Sequence, residues 1–157
     1  MRVGLLLPLR SGVAASARVA AEGAQLAVDE VNREGGVRGR RVRLAVEDDQ
    51  RVPEEAVRLV AALVGQEAVG IVGPLTDPTT IAAAGAATRF RIVLISPGAI
   101  EVLPYGGHYV FRTAISARAQ GAAVAAFVAD RLRVPRVAVV HDSSEYGTAV
   151  AMAFEED

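Results

Sequence analysis

The stretch VGIVGPLTDPTTIAAAGAA, residues 69–87, holds one complete strand-to-helix unit. Its first part, residues 69–72, is a short apolar run ended by a Gly-Pro pair, which predicts a short strand. Asp77 stands directly before a proline, which predicts an N-cap at Asp77 and a helix running to Ala87. A strand that leads straight into a helix is typical of a parallel α/β sheet.

The same alternation continues on both sides of this unit. Because such a series is connected by right-handed βαβ crossovers, we expect an α/β fold, an open parallel sheet with helices on both faces. Further strands are predicted at residues 3–7, 42–48 (an edge strand), 92–95, 109–112 and 136–140. Further helices are predicted at residues 14–34, from Pro53, at 116–132 with Ser116 as cap, and from near Tyr146.

The composition limits both the size and the partners of the protein. The 157 residues suffice for one ordinary domain, or for one domain and part of a second. With 52% hydrophobic and 22% charged residues, the chain can bury a sizeable core. Seventeen basic and 18 acidic side chains give a formal charge of -1, so no net positive field exists to hold nucleic acid or an anionic membrane.

Lysine and cysteine, two residue types that carry much of enzyme and redox chemistry, are both missing from the sequence. Their absence excludes a phosphate-loop lysine, a Schiff base, disulfides and thiolate nucleophiles. Only His108 and His141 remain as soft metal ligands, in different segments, so we expect neither a metal site nor a cofactor. No apolar run reaches the roughly 18 residues of a membrane-spanning helix. The run at 3–9 is too short for a secretory signal, so either the protein is cytoplasmic or a leader has been removed.

Ligands of an open parallel sheet bind in the crevice outside the carboxyl ends of its strands. That rule selects five loops, and three of them lead into helices whose first N–H groups are unpaired and attract a carboxylate or a phosphate. An anionic group on the ligand is therefore expected. The five loops cover residues 10–16, 48–51, 73–79, 96–100 and 141–146.

Three other interpretations of these loops have weaker support. A dinucleotide site needs Gly-x-Gly-x-x-Gly after the first strand, and residues 8–16 contain only Gly12. Asp48 and Asp49 are residue types that hold magnesium, but without a lysine or an acidic end to the third strand, a solvated turn explains them better. The run His-Asp-Ser at 141–143 has the residue types of a hydrolase triad, but its members are adjacent and do not converge from separate loops.

Short segments spread over the whole chain match one known family in order. The sequence resembles the N-terminal portion of the type I periplasmic solute-binding proteins, in their leucine/isoleucine/valine-binding branch. The matching segments are residues 4–8 with Ser11 and Gly12, GAQLAVDEVN (23–32), GGVRGR (35–40), EDDQ (47–50), VGIVGP (69–74), ISP (95–97), VFRT (110–113) and HDSSEYG (141–147).

This resemblance implies a bilobed extracytoplasmic receptor that is not an enzyme. Such a receptor captures a small solute, here an amino acid or a relative of one, and delivers it to the membrane permease of an ABC importer. Residues 1–113 would form lobe one, and residues 114–157 would begin lobe two. The alternative is a sensory or regulatory module of the same fold, which binds amides or amino acids.

The resemblance also implies a set of ligand contacts, placed in the loops that the sheet rule selects. Hydroxyl and helix-terminal N–H groups would receive an α-carboxylate, and Tyr146 would close over the ligand from the second lobe. The implied residues are Ser11 and Ser16 in the first loop, Leu75, Thr76, Asp77 and Thr79 after the third strand, Ser96, Pro97, Gly98, Ala99 and Ile100 after the fourth, and Tyr146.

Two of these residues depart from the family pattern. Asp77 stands where amino-acid binders usually offer a serine or threonine, and Ile100 stands where a second hydroxyl is usual. A carboxylate beside a ligand carboxylate is repelled by like charge in a poorly solvated cleft. Thr76, Thr79 or Thr80 would then substitute, or the solute is not a simple amino acid, and Asp77 itself is better explained as a helix cap.

Overall fold

A computed structural model describes residues 1–98 and 108–156. The described residues divide into two compact units, one formed by residues 1–98 and 108–114 and the other by residues 115–156. The assignment of residues 1–113 and 114–157 to two lobes stays a prediction.

The first unit is a five-stranded parallel sheet with helices on both faces, as predicted. The strand order is β2-β1-β3-β4-β5, which places β2 at an edge as its alternating pattern indicates. The strands are β1 (Arg2–Leu7), β2 (Arg43–Asp48), β3 (Ala68–Val72), β4 (Val93–Ser96) and β5 (Val110–Arg112), and the helices are α1 (Ala14–Arg33), α2 (Pro53–Gly65) and α3 (Asp77–Phe90).

Two apolar clusters cover the two faces of this sheet. Leu6 belongs to the cluster under α2 and α3, whereas its neighbours Leu5 and Leu7 belong to the cluster under α1. Successive strand residues point to opposite faces, so β1 is covered on both sides. Full burial of each leucine contributes about 1.5–3 kcal/mol, and all three are at most 1% exposed. The buried centre of the sheet therefore holds the loops at its ends in fixed positions.

The helical spacing that predicts α1 does not identify its buried side. Val19 and Leu26, two of the spaced apolar residues, are 68% and 58% exposed. The side of α1 that meets the sheet is instead built from small residues, which let the helix approach closely. These are Ala17, Ala20, Ala21 and Ala24.

The second unit contains two helices and the segment between them. Helix α4 (Ala117–Phe127) begins as predicted, because Ser116 Oγ accepts the N–H of Ala119 at 3.2 Å. The helix continues as a π-helical turn, Val128–Leu132, and α5 (Glu145–Glu156) follows after a non-helical segment.

The strand predicted at residues 136–140 is absent from the second unit, and this prediction is wrong. A strand needs a hydrogen-bonded neighbour, and no described strand lies beside this segment. Its apolar side chains are left exposed, Val137 by 48% and Val140 by 92%.

Candidate ligand-binding site

The carboxyl ends of the parallel strands bring the predicted loops of the first unit to one edge of the sheet. Strands β1 and β3 are direct neighbours, as are β3 and β4. Leu9, after β1, and Leu75, after β3, pack against the same apolar cluster. The first, third and fourth loops therefore lie side by side, as the sheet rule predicts.

The third loop turns sharply at Gly73, whose φ of +102° suits glycine and few other residues. Its N–H donates to the Ile95 carbonyl at 2.9 Å, which ties the loop to β4. A Cβ at this position would collide with the Leu6 carbonyl oxygen. Glycine is therefore required at position 73, where the chain passes close to β1 before α3 begins.

Behind this loop, the hydroxyls of Thr80 and Ser96 form a buried hydrogen-bond network with the Pro74 carbonyl. Ser96 Oγ donates to that oxygen at 2.9 Å, and Thr80 Oγ1 lies 3.3 Å from both the same oxygen and Ser96 Oγ. Both side chains are completely buried. Their hydroxyls therefore fix the third loop against the fourth and do not reach solvent.

Thr76 and Thr79 form a second hydroxyl pair, with 2.7 Å between the two Oγ1 atoms. Thr79 Oγ1 donates its single hydrogen to the Thr76 carbonyl at 3.0 Å, so the Thr76 hydroxyl is the donor within the pair. Thr79 is completely buried, whereas Thr76 is half-buried. In this arrangement Thr76 Oγ1 offers lone pairs to a ligand and no hydrogen.

The N-cap of α3 is Thr76, one residue before the position predicted, so the assignment of the cap to Asp77 is wrong. Asp77 is the first helical residue and Pro78 the second. The physical reason is that proline is accommodated throughout the first turn, where N–H groups lack helical partners, and so does not fix the cap to the residue before it. The Asp77 carboxylate remains in the first turn, where the helix dipole favours a negative charge.

The fourth loop touches the third. A Cβ added at Gly98 would collide with the Leu75 carbonyl oxygen, so the two loops approach as closely as their backbones allow. Pro97, between Ser96 and Gly98, is half-buried. The structure thus brings together Leu75, Thr76, Asp77, Thr79, Ser96, Pro97 and Gly98, whereas Ala99 and Ile100 lie outside the described residues.

In the first loop, the Ser11 side chain forms hydrogen bonds within the loop itself. Its Oγ donates to the Pro8 carbonyl at 3.1 Å and lies 3.4 Å from the Val13 N–H. Ser16 is exposed in the first turn of α1. Asp48, at the end of the neighbouring β2, holds this loop through Oδ1, which accepts the Leu9 N–H at 2.9 Å.

Asp49, which the sequence suggested was a solvated turn residue, is completely buried, so that interpretation is wrong. Its Oδ1 accepts the Arg51 N–H at 2.9 Å, whereas Oδ2 is buried without a hydrogen-bond partner among the described residues. Burial raises the pKa of this carboxyl above its ordinary value of 3.8, and the nearby Asp48 carboxylate adds to the rise. An aspartate next to the edge strand gives no sequence signal of this burial.

Tyr146 belongs to the second unit. Its hydroxyl donates to Gln120 Oε1 at 2.9 Å, and its side chain is 50% exposed. It borders an apolar hollow of about 470 Å³ between α4, α5 and residues 137–142. Of the predicted contact residues that the structure describes, only Tyr146 lines this hollow, which lies where the missing strand leaves apolar side chains uncovered.

Residues 1–156 match the sequence profile of the periplasmic binding protein family, and the chain belongs to this family. The Leu/Ile/Val-binding protein BraC3 of Rhizobium johnstonii is 32% identical over 155 residues, which cover 98% of this chain and 42% of that protein. The matched relatives are binding proteins and not enzymes.

Solved structures agree with this assignment. The branched-chain amino acid transporter substrate-binding protein LivJ of Streptococcus pneumoniae, in complex with isoleucine, has a TM-score of 0.88 and 31% identity, over 99% of this chain and 46% of that chain. An ABC transporter substrate-binding protein of Desulfitobacterium hafniense in complex with Leu has a TM-score of 0.84 and 27% identity, with the same two coverages. The chain therefore spans less than half the length of these relatives. Along the described parts of the chain, none of the helices combines the length and the apolar character that crossing a membrane demands.

Proposed function

We propose that the protein is the solute-binding component of an ABC importer and that its solute is an amino acid or a close relative. The observation that carries this proposal is the convergence of the third and fourth loops, from Leu75 to Thr79 and from Ser96 to Gly98, at one edge of a sheet. The relatives that match over this whole segment are named for binding leucine, isoleucine and valine.

We assign different tasks to the groups of this site. The buried hydroxyls of Thr79, Thr80 and Ser96 hold the loops in place. The donors for a ligand carboxylate are the backbone N–H groups of Asp77 and Thr79 at the start of α3, since Pro78 has no N–H and the Thr80 N–H donates to the Thr76 carbonyl at 2.9 Å. The Thr76 hydroxyl, which offers only lone pairs, suits the ligand ammonium group.

The chain acts outside the cytoplasmic membrane under this proposal and passes its solute to the permease of the importer. The solute leaves chemically unchanged, and no cofactor is needed. The remaining contacts are those implied for Ser11, Ser16, Ala99, Ile100 and Tyr146.

Thermal unfolding tests this function with a panel of amino acids, amides and small acids. A ligand selective for the native state adds RT ln(1 + [L]/Kd), about 2.7 kcal/mol at a hundredfold excess over Kd. We expect branched-chain amino acids to raise the Tm of the chain, and to raise it more in a hybrid completed with the carboxyl-terminal part of LivJ, which supplies the rest of the enclosing surface. A panel that leaves the Tm of both proteins unchanged contradicts the proposal.

The variant Asp77→Ser tests where the carboxylate binds. Two like charges about 4 Å apart repel by about 1 kcal/mol even in water, so removal of this carboxylate is expected to tighten leucine binding by about fivefold or more. Calorimetric titration of the hybrid measures the change. Unchanged affinity with reduced stability would show that Asp77 supports only the start of α3.

A further inference from the structure

The amino ends of the strands gather positive charge at the edge of the sheet opposite the candidate site. Arg2 opens β1, Arg43 opens β2, and the two residues are register partners on neighbouring strands. Arg40 and Arg41 precede β2, and all four side chains are exposed. They border a hollow of about 380 Å³ that is lined by Met1, Arg2, Arg40, Arg41, Arg43, Gln66, Glu67 and Val69.

These four guanidinium groups have no carboxylate partner within the described part of the chain. The ion pairs found there are Arg10–Asp48 and Arg58–Glu55, which involve none of the four. Arg2 Nη1 donates to the Gln66 carbonyl at 2.6 Å, which holds this guanidinium at the rim of the hollow. Like charges on facing strand positions repel each other, so a bound anion would relieve an unfavourable arrangement.

The chemistry of the lining favours a compact anion with more than one negative charge. Four guanidinium groups face the single carboxylate of Glu67, so the hollow is strongly positive although the chain carries a formal charge of -1. Guanidinium forks bind phosphate oxygens in pairs, with geometry that an ammonium group cannot match. The small volume suits one or two phosphate groups and not a nucleic-acid strand.

We propose that Arg2, Arg40, Arg41 and Arg43 form a binding site for a phosphate-bearing anion at the amino edge of the sheet. This site is separate from the amino-acid site and does not depend on the proposed function.

Calorimetric titration of the full chain with pyrophosphate at low ionic strength tests the proposal. The variant R40Q/R41Q/R43Q is expected to weaken binding by about tenfold or more, because it removes the charge-assisted hydrogen bonds of three guanidinium groups to the anion. The matched control R18Q/R118Q/R131Q removes the same charge from exposed positions elsewhere and is expected to leave the affinity within about twofold.

Two further variants keep the test decisive if the triple glutamine variant unfolds. R40K/R41K/R43K keeps the charge but loses the paired hydrogen bonds, so we expect weaker binding. Glu67→Gln removes the opposing carboxylate, so we expect tighter binding.

Vesicles separate the two sources of a phosphate group. Co-sedimentation with vesicles of phosphatidylglycerol in phosphatidylcholine, lost in R40Q/R41Q/R43Q, would identify a lipid headgroup, whereas pyrophosphate binding without vesicle binding would identify a free phosphate. Failure of both probes to bind overturns the proposal. An equal loss of affinity in the control variant, or binding of polyglutamate as tight as that of pyrophosphate, overturns it as well.

Discussion

At the scale of single residues, the loop after β2 buries a carboxylate that is only half satisfied. Asp49 Oδ1 accepts the Arg51 N–H, and Oδ2 has no hydrogen-bond partner among the described residues. Ionisation is disfavoured in such a setting, because desolvation penalises the charged form. Asp49 thus holds the loop through its Oδ1 atom, and its ionisation lowers the stability of the folded state by an amount that depends on pH.

The sign of that pH dependence follows from the raised pKa of Asp49. A carboxyl whose pKa is raised by folding stabilises the folded state fully below its unfolded pKa, about 3.9, and this contribution is lost as pH rises through the folded pKa. Asp49→Asn keeps the Oδ1 acceptor and cannot ionise. We expect the variant to gain stability relative to the native chain between about pH 4 and pH 7, as measured by urea unfolding at both pH values.

Asp130→Asn, which removes a negative charge from an exposed position, is the control for the change in net charge. A difference between Asp49→Asn and the native chain that stays constant over this pH range would contradict the prediction.

Two threonines of α3 test whether buried hydroxyls stabilise the site edge. Thr80 Oγ1 lies within the network around the Pro74 carbonyl, whereas Thr88 Oγ1 is buried with no hydrogen-bond partner among the described residues. Thr80→Val is expected to lower the free energy of unfolding by about 1–2 kcal/mol. Thr88→Val replaces an unsatisfied hydroxyl by a methyl group and is expected to be neutral or stabilising by up to about 1 kcal/mol. Denaturant unfolding compares the two, and equal losses would show that the network does not contribute.

At the scale of elements, the sequence predicts those helices and strands whose positions are set by residues nearby in the chain. The apolar run of β3, the proline at the start of α2 and the serine before α4 each act locally, and each element forms where its pattern predicts. The buried side of α1, the burial of Asp49 and the closeness of Gly98 to Leu75 depend on residues distant in sequence. Local patterns carry no information about such contacts, so these features required the structure.

The cap of α4 is an element whose contribution can be measured. Ser116→Ala removes the acceptor for the Ala119 N–H and is expected to cost about 1 kcal/mol. Hydrogen exchange of the first amides of α4 measures the loss of protection, and Ser116→Asp, which restores an acceptor, is expected to recover most of it. Equal protection in all three proteins would mean that the cap is supported by other contacts.

At the scale of the whole molecule, the net charge and the hydrophobic content of the sequence do not show where charged and apolar side chains lie on the surface. The chain has a formal charge of -1, yet four arginines line a hollow at one edge of the sheet. A sequence with 52% hydrophobic residues leaves Val19, Val140 and Phe111 more than half exposed. Composition therefore predicts the class of protein, whereas binding surfaces follow from where the fold places each residue.

We expect the exposed apolar segment at residues 136–140 to promote self-association of the chain. Residues 136–140 include three valines, which have high β-propensity, and belong to no strand of the described chain, so their backbone is a template for strand addition by another molecule, the first step of fibril growth. Val140→Lys is expected to suppress concentration-dependent light scattering. Val19→Lys, on a helix whose backbone is already hydrogen-bonded, is expected to have much less effect. Storage of the purified chain in dilute form, at a pH away from its isoelectric point of about 6.1, should then preserve it as single molecules.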